Sequence, residues 1–301
     1  MKHFTVEQHE HVQVWTMSNP PMNYMTAPMS QELLELVGGA ENDASIRAII
    51  LTGGVDGKFI THYSVDELAA MAEDPAACAQ IFPAASAGFH RMLDRVMLMP
   101  KAVIAAINGD CMGGGYELAL ACDFRLAADG PYQIGLPEAV LGILPGGGGT
   151  QRLPRLIGRG RALEVLMFGN VYSPRDAEKM GMVNRVLAPE KLIPFAMEWA
   201  RTLASRPPRA VAAIKRAVYV GADRGPRIRP LRRADGDDAT DVLAGRANDH
   251  DRVQRRSRAR SDGRPRRVPQ GCRRAAGQGH LRIRNASATT LRQPPGESRS
   301  G

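Results

Sequence analysis

Residues 108–123 read Asn-Gly-Asp-Cys-Met-Gly-Gly-Gly-Tyr-Glu-Leu-Ala-Leu-Ala-Cys-Asp. The three glycines lead directly into Tyr116 to Cys122, which combine helix-forming residues with apolar residues at helical spacing. A helix is therefore predicted to begin at the glycines. The backbone N–H groups of a first helical turn have no partner within the helix, and glycine allows another group to approach them closely. This turn can bind an anion.

Two glutamates add acid/base chemistry to that turn. Glu117 lies within it, where the helix dipole favours the ionised carboxylate. Glu138 follows Pro137 and precedes the glycine run 146–149. If the chain folds back between the two segments, the carboxylates face each other across a small gap, as general acid/base chemistry on one water requires. A lone glycine triplet is usually only a tight turn, and a lone first-turn glutamate is usually only a cap. The functional interpretation therefore depends on finding these features together.

The whole set of motifs resembles a known family. Residues 108–123, Pro137-Glu138 and Pro145-Gly-Gly-Gly-Gly-Thr-Gln-Arg152 are similar to the crotonase superfamily, and within it to the enoyl-CoA hydratases. The resemblance implies an α/β fold: a crotonase-like spiral of repeated ββα units followed by helices. It also implies that the backbone N–H groups of Gly114 and Tyr63 form an oxyanion hole for the thioester oxygen, while Glu117 and Glu138 hold and activate a water.

The activity that the resemblance implies is syn addition of water across the 2,3 double bond of a 2-enoyl-CoA thioester, a lyase reaction of fatty-acid β-oxidation. Two alternatives stay open. One is enoyl-CoA isomerisation or another crotonase reaction, although isomerases need a single carboxylate and this chain has two. The other is a non-catalytic protein that binds acyl-CoA, or binds polyanions through an arginine-rich tail.

The loop 58–66 would carry the second oxyanion donor and part of the substrate site. The resemblance assigns substrate binding to residues on this loop and on the glycine triplet, namely His62, Tyr63, Ser64, Val65, Asp66, Gly113 and Gly114. His62 stands where the family usually has glycine, and Ser64 stands where it usually has aspartate. Because a non-glycine residue rarely adopts a positive φ, we expect the local backbone to differ from that of the family.

The composition argues against a membrane protein, a secreted protein and a metalloprotein. The chain of 301 residues contains no run of 18 apolar residues, which predicts no membrane span, and its N-terminus lacks the apolar core of a signal peptide. The cytoplasm is the expected location. The four cysteines show no metal-type spacing, and those at 111 and 122 are predicted to be core residues. We expect no metal and no cofactor, because CoA arrives as part of the substrate.

Apolar periodicity predicts the elements around the central motif. The predicted strands are 12–17, 46–52, 101–107 and 124–128, and the predicted helices are 30–41, a single helix 153–168, and 173–181, 189–204 and 207–220.

The chain changes character near residue 222. Residues 222–301 contain 20 Arg, no Lys and 9 acidic residues, whereas residues 1–221 are nearly neutral. Too few apolar residues remain to offset the entropy of ordering, so a disordered tail is predicted. We favour a change of reading frame over a polyanion-binding arm, because the tail has no aromatic residue for base stacking.

The predicted organisation is a spiral core with the active site at 1–200, a helical extension at 201–221 and the tail at 222–301. The expected partners are an acyl-CoA substrate and, if the C-terminus permits, further copies of the chain in a homotrimer or hexamer. Nucleic acid and membrane are not expected partners.

Overall fold

The computed structural model describes residues 1–74 and 85–222. Strands and helices alternate along the chain. The strands are β1 (Phe4–His9), β2 (Val12–Met17), β3 (Ala48–Gly53), β4 (Lys58–Ile60), β5 (Ala102–Ile107), β6 (Asp110–Met112), β7 (Phe124–Ala128), β8 (Ile134–Gly135), β9 (Val171–Tyr172) and β10 (Arg185–Leu187). The helices are α1 (Ala27–Asn42), α2 (Val65–Glu73), α3 (Ala85–Leu98), α4 (Gly114–Ala121), α5 (Gly149–Ile157), α6 (Arg159–Phe168), α7 (Pro174–Lys179), α8 (Pro189–Ala204) and α9 (Pro208–Ala222), with a 3₁₀ turn at Glu138–Leu141.

The strands form two sheets. The larger sheet has the order β1-β2-β3-β5-β7-β10 and is parallel except for the pair β1-β2, and the smaller one has the order β4-β6-β8-β9. Each of the pairs β3/β4, β5/β6 and β7/β8 contributes its first strand to the larger sheet and its second to the smaller one, and each is followed by a helix. The predicted α/β class with repeated ββα units is confirmed.

Alternating side chains of the larger sheet enter two apolar cores. Trp15, Ile49 and Leu51 face the core that contains helix α4, whereas Val14 and Ile50 face helix α8. This alternation follows from the two-residue repeat of a strand. Because both faces are covered, the parallel strands are continuous apolar runs. Cys111 and Cys122 are buried free thiols of the first core, as predicted.

One predicted helix is wrong in its extent. The segment 153–168, expected to form a single helix, is divided between α5 and α6 at Gly158, whose φ is +84°. A residue with this backbone ends one helix and begins the next, and glycine adopts the conformation at little steric cost.

Helix α9 is held by a buried ion pair. Lys215 donates to Oδ2 of Asp123 at 2.8 Å and to the carbonyl of Lys101 at 2.8 Å, and the Tyr219 hydroxyl donates to Oδ1 of Asp123 at 3.1 Å. These bonds fix the helix against the core next to the central motif. The predicted tail lies, beyond Ala222, outside the described residues, and the domain boundaries stay a prediction. In the part of the chain that the structure describes, no helix is long and apolar enough to cross a membrane.

Candidate active site

Helix α4 carries Glu117 in its first turn, as predicted. The helix begins at Gly114, and all its residues are buried. Glycine is required at position 115 because a Cβ there would lie 1.9 Å from the carbonyl oxygen of Ile60. The close passage of α4 along β4 places the helix N-terminus beside the loop that follows β4.

Two backbone amides hold the Glu117 carboxylate. Gly147 N–H donates to Oε2 at 2.9 Å, and Gly149 N–H donates to Oε1 at 2.7 Å. Burial raises the pKa of Glu117, whereas the two amides and the guanidinium of Arg152 oppose that rise. Both carboxylate oxygens therefore have a donor although the side chain is 2% exposed.

Glu138 has the opposite environment. It begins the 3₁₀ turn and is 9% exposed, and within residues 1–74 and 85–222 its Oε2 has no hydrogen-bond partner. Burial, together with the negative charge of Glu117, raises the pKa of Glu138 to about 8. The Oε1 atom lies 3.3 Å from the position that a Cβ on Gly113 would take. The structure thus brings Glu138 to the N-terminus of the helix that carries Glu117.

The loop after β4 brings Tyr63 to the same helix end. Met25 N–H donates to the His62 carbonyl at 2.9 Å and Ser64 N–H donates to the Met25 carbonyl at 2.8 Å, so the Tyr63 N–H points away from Met25. A Cβ on Gly114 would lie 3.4 Å from the Tyr63 nitrogen. Among the described residues, neither the Tyr63 N–H nor the Gly114 N–H donates a hydrogen bond. The two predicted oxyanion donors are therefore neighbours.

The two departures on this loop have local explanations. Positive φ among described non-glycine residues is confined to Glu10 and Asn23, so His62 adopts an ordinary backbone conformation, and the expected difference from the family's backbone stays a prediction. The His62 ring stacks on Tyr24 with centroids 4.3 Å apart. Ser64 is the N-cap of α2, and its hydroxyl accepts a hydrogen bond from Glu67 N–H at 3.3 Å. Serine serves there as well as aspartate does.

The remaining predicted substrate residues lie at the entrance and the centre of this region. Val65 is 43% exposed and Asp66 lies with it in the first turn of α2. Gly113 precedes α4, and its N–H donates to the Gly135 carbonyl at 3.0 Å, while its own carbonyl accepts the Glu117 N–H at 2.9 Å. Gly113 thus serves to position α4. Val65 and Asp66 follow the loop after β4, which carries the Tyr63 N–H.

Sequence reasoning missed three contributors to the site. Gly147 and Gly149 supply the amides on Glu117, and the only signal was the run of four glycines. Phe89 of α3 also lies at the site, since its ring packs against Tyr63 with centroids 5.4 Å apart, and a Cβ on Gly147 would meet its Cε1 at 2.7 Å. In the described ranges, no group of three or more His, Cys, Asp or Glu side chains could hold a metal ion.

Comparison with known proteins yields one consistent family. The family model described as Enoyl-CoA hydratase/isomerase matches residues 7–232. YngF of Bacillus subtilis, which is named after the same pair of activities, is 39% identical over 219 residues, covering 72% of this chain and 81% of the relative. A crotonyl-CoA hydratase of Syntrophomonas wolfei is 36% identical over 217 residues, covering 72% and 81% of the two chains. The crystal structure of an enoyl-CoA hydratase from Bacillus anthracis matches with a TM-score of 0.68 at 35% identity, over 73% of this chain and 84% of that chain.

Proposed function

Since the chain belongs to the enoyl-CoA hydratase/isomerase family and has its crotonase fold, we propose that it adds water across the 2,3 double bond of a 2-enoyl-CoA thioester. The observation that carries this proposal is the unequal pair of carboxyl groups. Glu117 has two amide donors, whereas Glu138 has a pKa raised to about 8 and an oxygen with no hydrogen-bond partner in the described part of the chain. Pairs whose environments push their pKa values apart divide naturally into a base and an acid.

The thioester oxygen would bind between the Tyr63 and Gly114 N–H groups. In α,β-unsaturated thioesters, attack at C3 moves the electron pair of the double bond towards the thioester oxygen. Preformed N–H donors stabilise the enolate charge that develops there. This role needs no particular side chain at position 63. The loop residues His62, Ser64, Val65 and Asp66 would border the bound thioester, as would Gly113.

The two glutamates would hold one water and divide its proton transfers. The ionised Glu117 accepts a proton as the water oxygen bonds to C3, and the protonated Glu138 donates its proton to C2 of the enolate. Proton exchange between the two groups then restores the starting state. Net addition of water uses two carboxyl groups and no redox change, so the proposed reaction requires no cofactor beyond the CoA of the substrate.

We also propose that the chain assembles with copies of itself, as a trimer or hexamer. An exposed apolar surface on the 3₁₀ turn and on α6 supports this: Val140, Met167 and Phe168 are each 72% exposed, and Leu141 and Leu144 are exposed beside them. The 3₁₀ turn and α6 contact each other, and clustered exposed apolar side chains of this kind are typical of an interface. Light scattering after size exclusion would measure the mass, and a monomer at all concentrations would contradict this assignment.

Crotonyl-CoA hydration tests the reaction, followed by loss of the enoyl-thioester absorbance. We expect the parent chain to be active and Glu117→Gln and Glu138→Gln each to lose roughly 100-fold or more in kcat. A parallel assay with a 3-enoyl-CoA distinguishes isomerisation, in which one carboxylate is enough and the two variants would differ sharply. A folded chain that binds acyl-CoA without either reaction would contradict the enzymatic proposal.

A further inference from the structure

Arg152 lies behind the loop that holds Glu117. It is the last residue of the motif Pro145-Gly-Gly-Gly-Gly-Thr-Gln-Arg152, and its side chain is 9% exposed. Its Nη1 donates to the carbonyl oxygen of Gly147, the same residue whose N–H donates to Glu117. The Gly147 carbonyl belongs to the peptide group that follows the one whose N–H donates to Glu117, so Arg152 holds the loop one peptide group beyond that donor.

Asp94 of α3 holds the guanidinium in turn. Its Oδ1 accepts a hydrogen bond from Nη2 of Arg152 at 2.6 Å, while its Oδ2 lies 3.3 Å from Nε2 of His90. The Nε atom of Arg152 contacts Sδ of Met97 at 3.5 Å. The rigid fork of a guanidinium can make such contacts together, whereas a single ammonium group cannot reproduce their geometry.

We propose that Arg152, oriented by Asp94, is a positioning residue that fixes the Gly147 and Gly149 amides on Glu117 and keeps this carboxylate ionised as the base. This inference rests on the proposed function and deepens it by adding a residue that does not touch the substrate. Among the described residues, the ionisable groups around Glu117 are Glu138 on the 3₁₀ turn and Arg152 on α5, with Asp94 and His90 of α3 behind Arg152. Removal of Arg152 leaves Glu117 with the negative charge of Asp94 and without the compensating cation.

Two replacements separate charge from geometry. Arg152→Gln removes both, and we expect kcat for crotonyl-CoA to fall roughly 100-fold, because small misplacements of reacting groups have effects of this size. KM should change little, and the acidic limb of the pH–rate profile should move to higher pH, since Glu117 ionises less readily. Arg152→Lys keeps the charge, so its acidic limb should stay near that of the parent while kcat still falls. Asp94→Asn should resemble Arg152→Lys in lowering kcat, because the guanidinium loses its orientation.

Arg201→Gln is the matched control, because Arg201 is an exposed arginine on α8. It should keep the parent values of kcat, KM and pH profile. Parent kcat in Arg152→Lys together with an unshifted acidic limb in Arg152→Gln would overturn the proposal.

Amide hydrogen exchange supplies a readout that does not depend on activity. Peptides spanning 145–152 should exchange faster in Arg152→Gln than in Arg201→Gln, because the Gly147 and Gly149 amides lose a fixed acceptor. Equal exchange in the two variants would overturn the positioning role. If the parent chain does not hydrate crotonyl-CoA, the proposed reaction fails, whereas the exchange experiment still decides whether Arg152 fixes this loop.

Discussion

Glu117 and Glu138 are the same residue type in one small site, yet the chain holds them in opposite ways. Glu117 lies on a fully buried helix and accepts hydrogen bonds from two backbone amides. Glu138 begins a short 3₁₀ turn and is followed by exposed apolar residues, and its Oε2 has no hydrogen-bond partner among the residues that the structure describes. The surroundings and not the side-chain type make this difference: two amides and the Arg152 guanidinium oppose the rise in the pKa of Glu117, whereas burial and the charge of Glu117 raise the pKa of Glu138.

The largest predicted effect comes from disturbing the amides on Glu117. A Cβ at Gly147 would lie 2.6 Å from Oε2 of Glu117 and 2.7 Å from Cε1 of Phe89. We expect Gly147→Ala to displace the carboxylate and lower kcat for crotonyl-CoA by roughly 100- to 1,000-fold. Steady-state kinetics would measure this loss.

Gly146→Ala provides the neighbouring control. Within residues 1–74 and 85–222, a Cβ at Gly146 would meet no atom within 4 Å, so this variant should keep most of the parent activity. Similar losses of kcat in both variants would mean that the glycine run acts only as a flexible segment. The hydrogen bonds from Gly147 and Gly149 to Glu117 would then not explain the loss.

The second prediction concerns the alkaline limb of the pH–rate profile. If Glu138 donates a proton, kcat/KM should fall as pH rises through about 8, the pKa to which burial and the charge of Glu117 raise this carboxyl. Above that point the loss approaches tenfold per pH unit, or roughly 100-fold at pH 10. Stopped-flow or steady-state assays from pH 5 to 10 would measure it.

A variant at the partner glutamate sharpens the same test. In Glu117→Gln the charge contribution to the pKa of Glu138 disappears while its burial stays, so the alkaline limb of the residual activity should move partway down in pH. A profile that stays flat to pH 10 in the parent would remove Glu138 from the role of proton donor.

The third prediction uses stability instead of activity. The native pKa of Glu138 is raised from 4.5 to about 8, so between these values the native state binds more protons than the unfolded state, and the free energy of unfolding falls as pH rises. Glu138→Gln removes this dependence. It should stabilise the protein at pH 9 by on the order of 5 kcal/mol, and should have little effect near pH 4.

Glu117→Gln is the informative comparison in thermal or urea unfolding. Its carboxylate is satisfied by two amides, and an uncharged amide side chain would direct an NH₂ group at one of those donors. We expect no gain in stability there. Destabilisation of Glu138→Gln at pH 9 would show that this carboxyl is satisfied in solution and that the two environments are alike.

The features that the sequence could predict are those set by residues close together along the chain. The start of α4 and the place of Glu117 in its first turn follow from adjacent residues, and the alternation of Val12–Met17 fixes β2 in the same local way. The single helix expected over 153–168 failed because a glycine within a helical pattern is usually tolerated, and only the backbone reveals the positive φ of Gly158.

The surroundings of Glu117 were beyond local reasoning. Its amide donors lie 30 and 32 residues away, and the contact between Arg152 and Asp94 spans 58 residues. The family resemblance placed Glu117, Glu138, Gly114 and Tyr63 in one site. It did not indicate what sets the protonation states of the two glutamates. Burial and the unpartnered oxygen of Glu138 are properties of the packed chain, so they required the structure.

The smallest predicted effect lies on the loop after β4, where His62 and Ser64 depart from the family pattern. Ser64 caps α2 through its hydroxyl, and its N–H donates to the Met25 carbonyl at 2.8 Å. Ser64→Ala should cost about 1 kcal/mol of stability and Ser64→Asp about 0.5 kcal/mol or less, because serine and aspartate are comparable N-caps. Neither should change kcat appreciably, since the proposed oxyanion donor on this loop is the backbone N–H of Tyr63. If Ser64→Asp instead raises kcat by tenfold or more, the loop side chains set the catalytic power of this chain, and the contrast between Glu117 and Glu138 would be secondary to them.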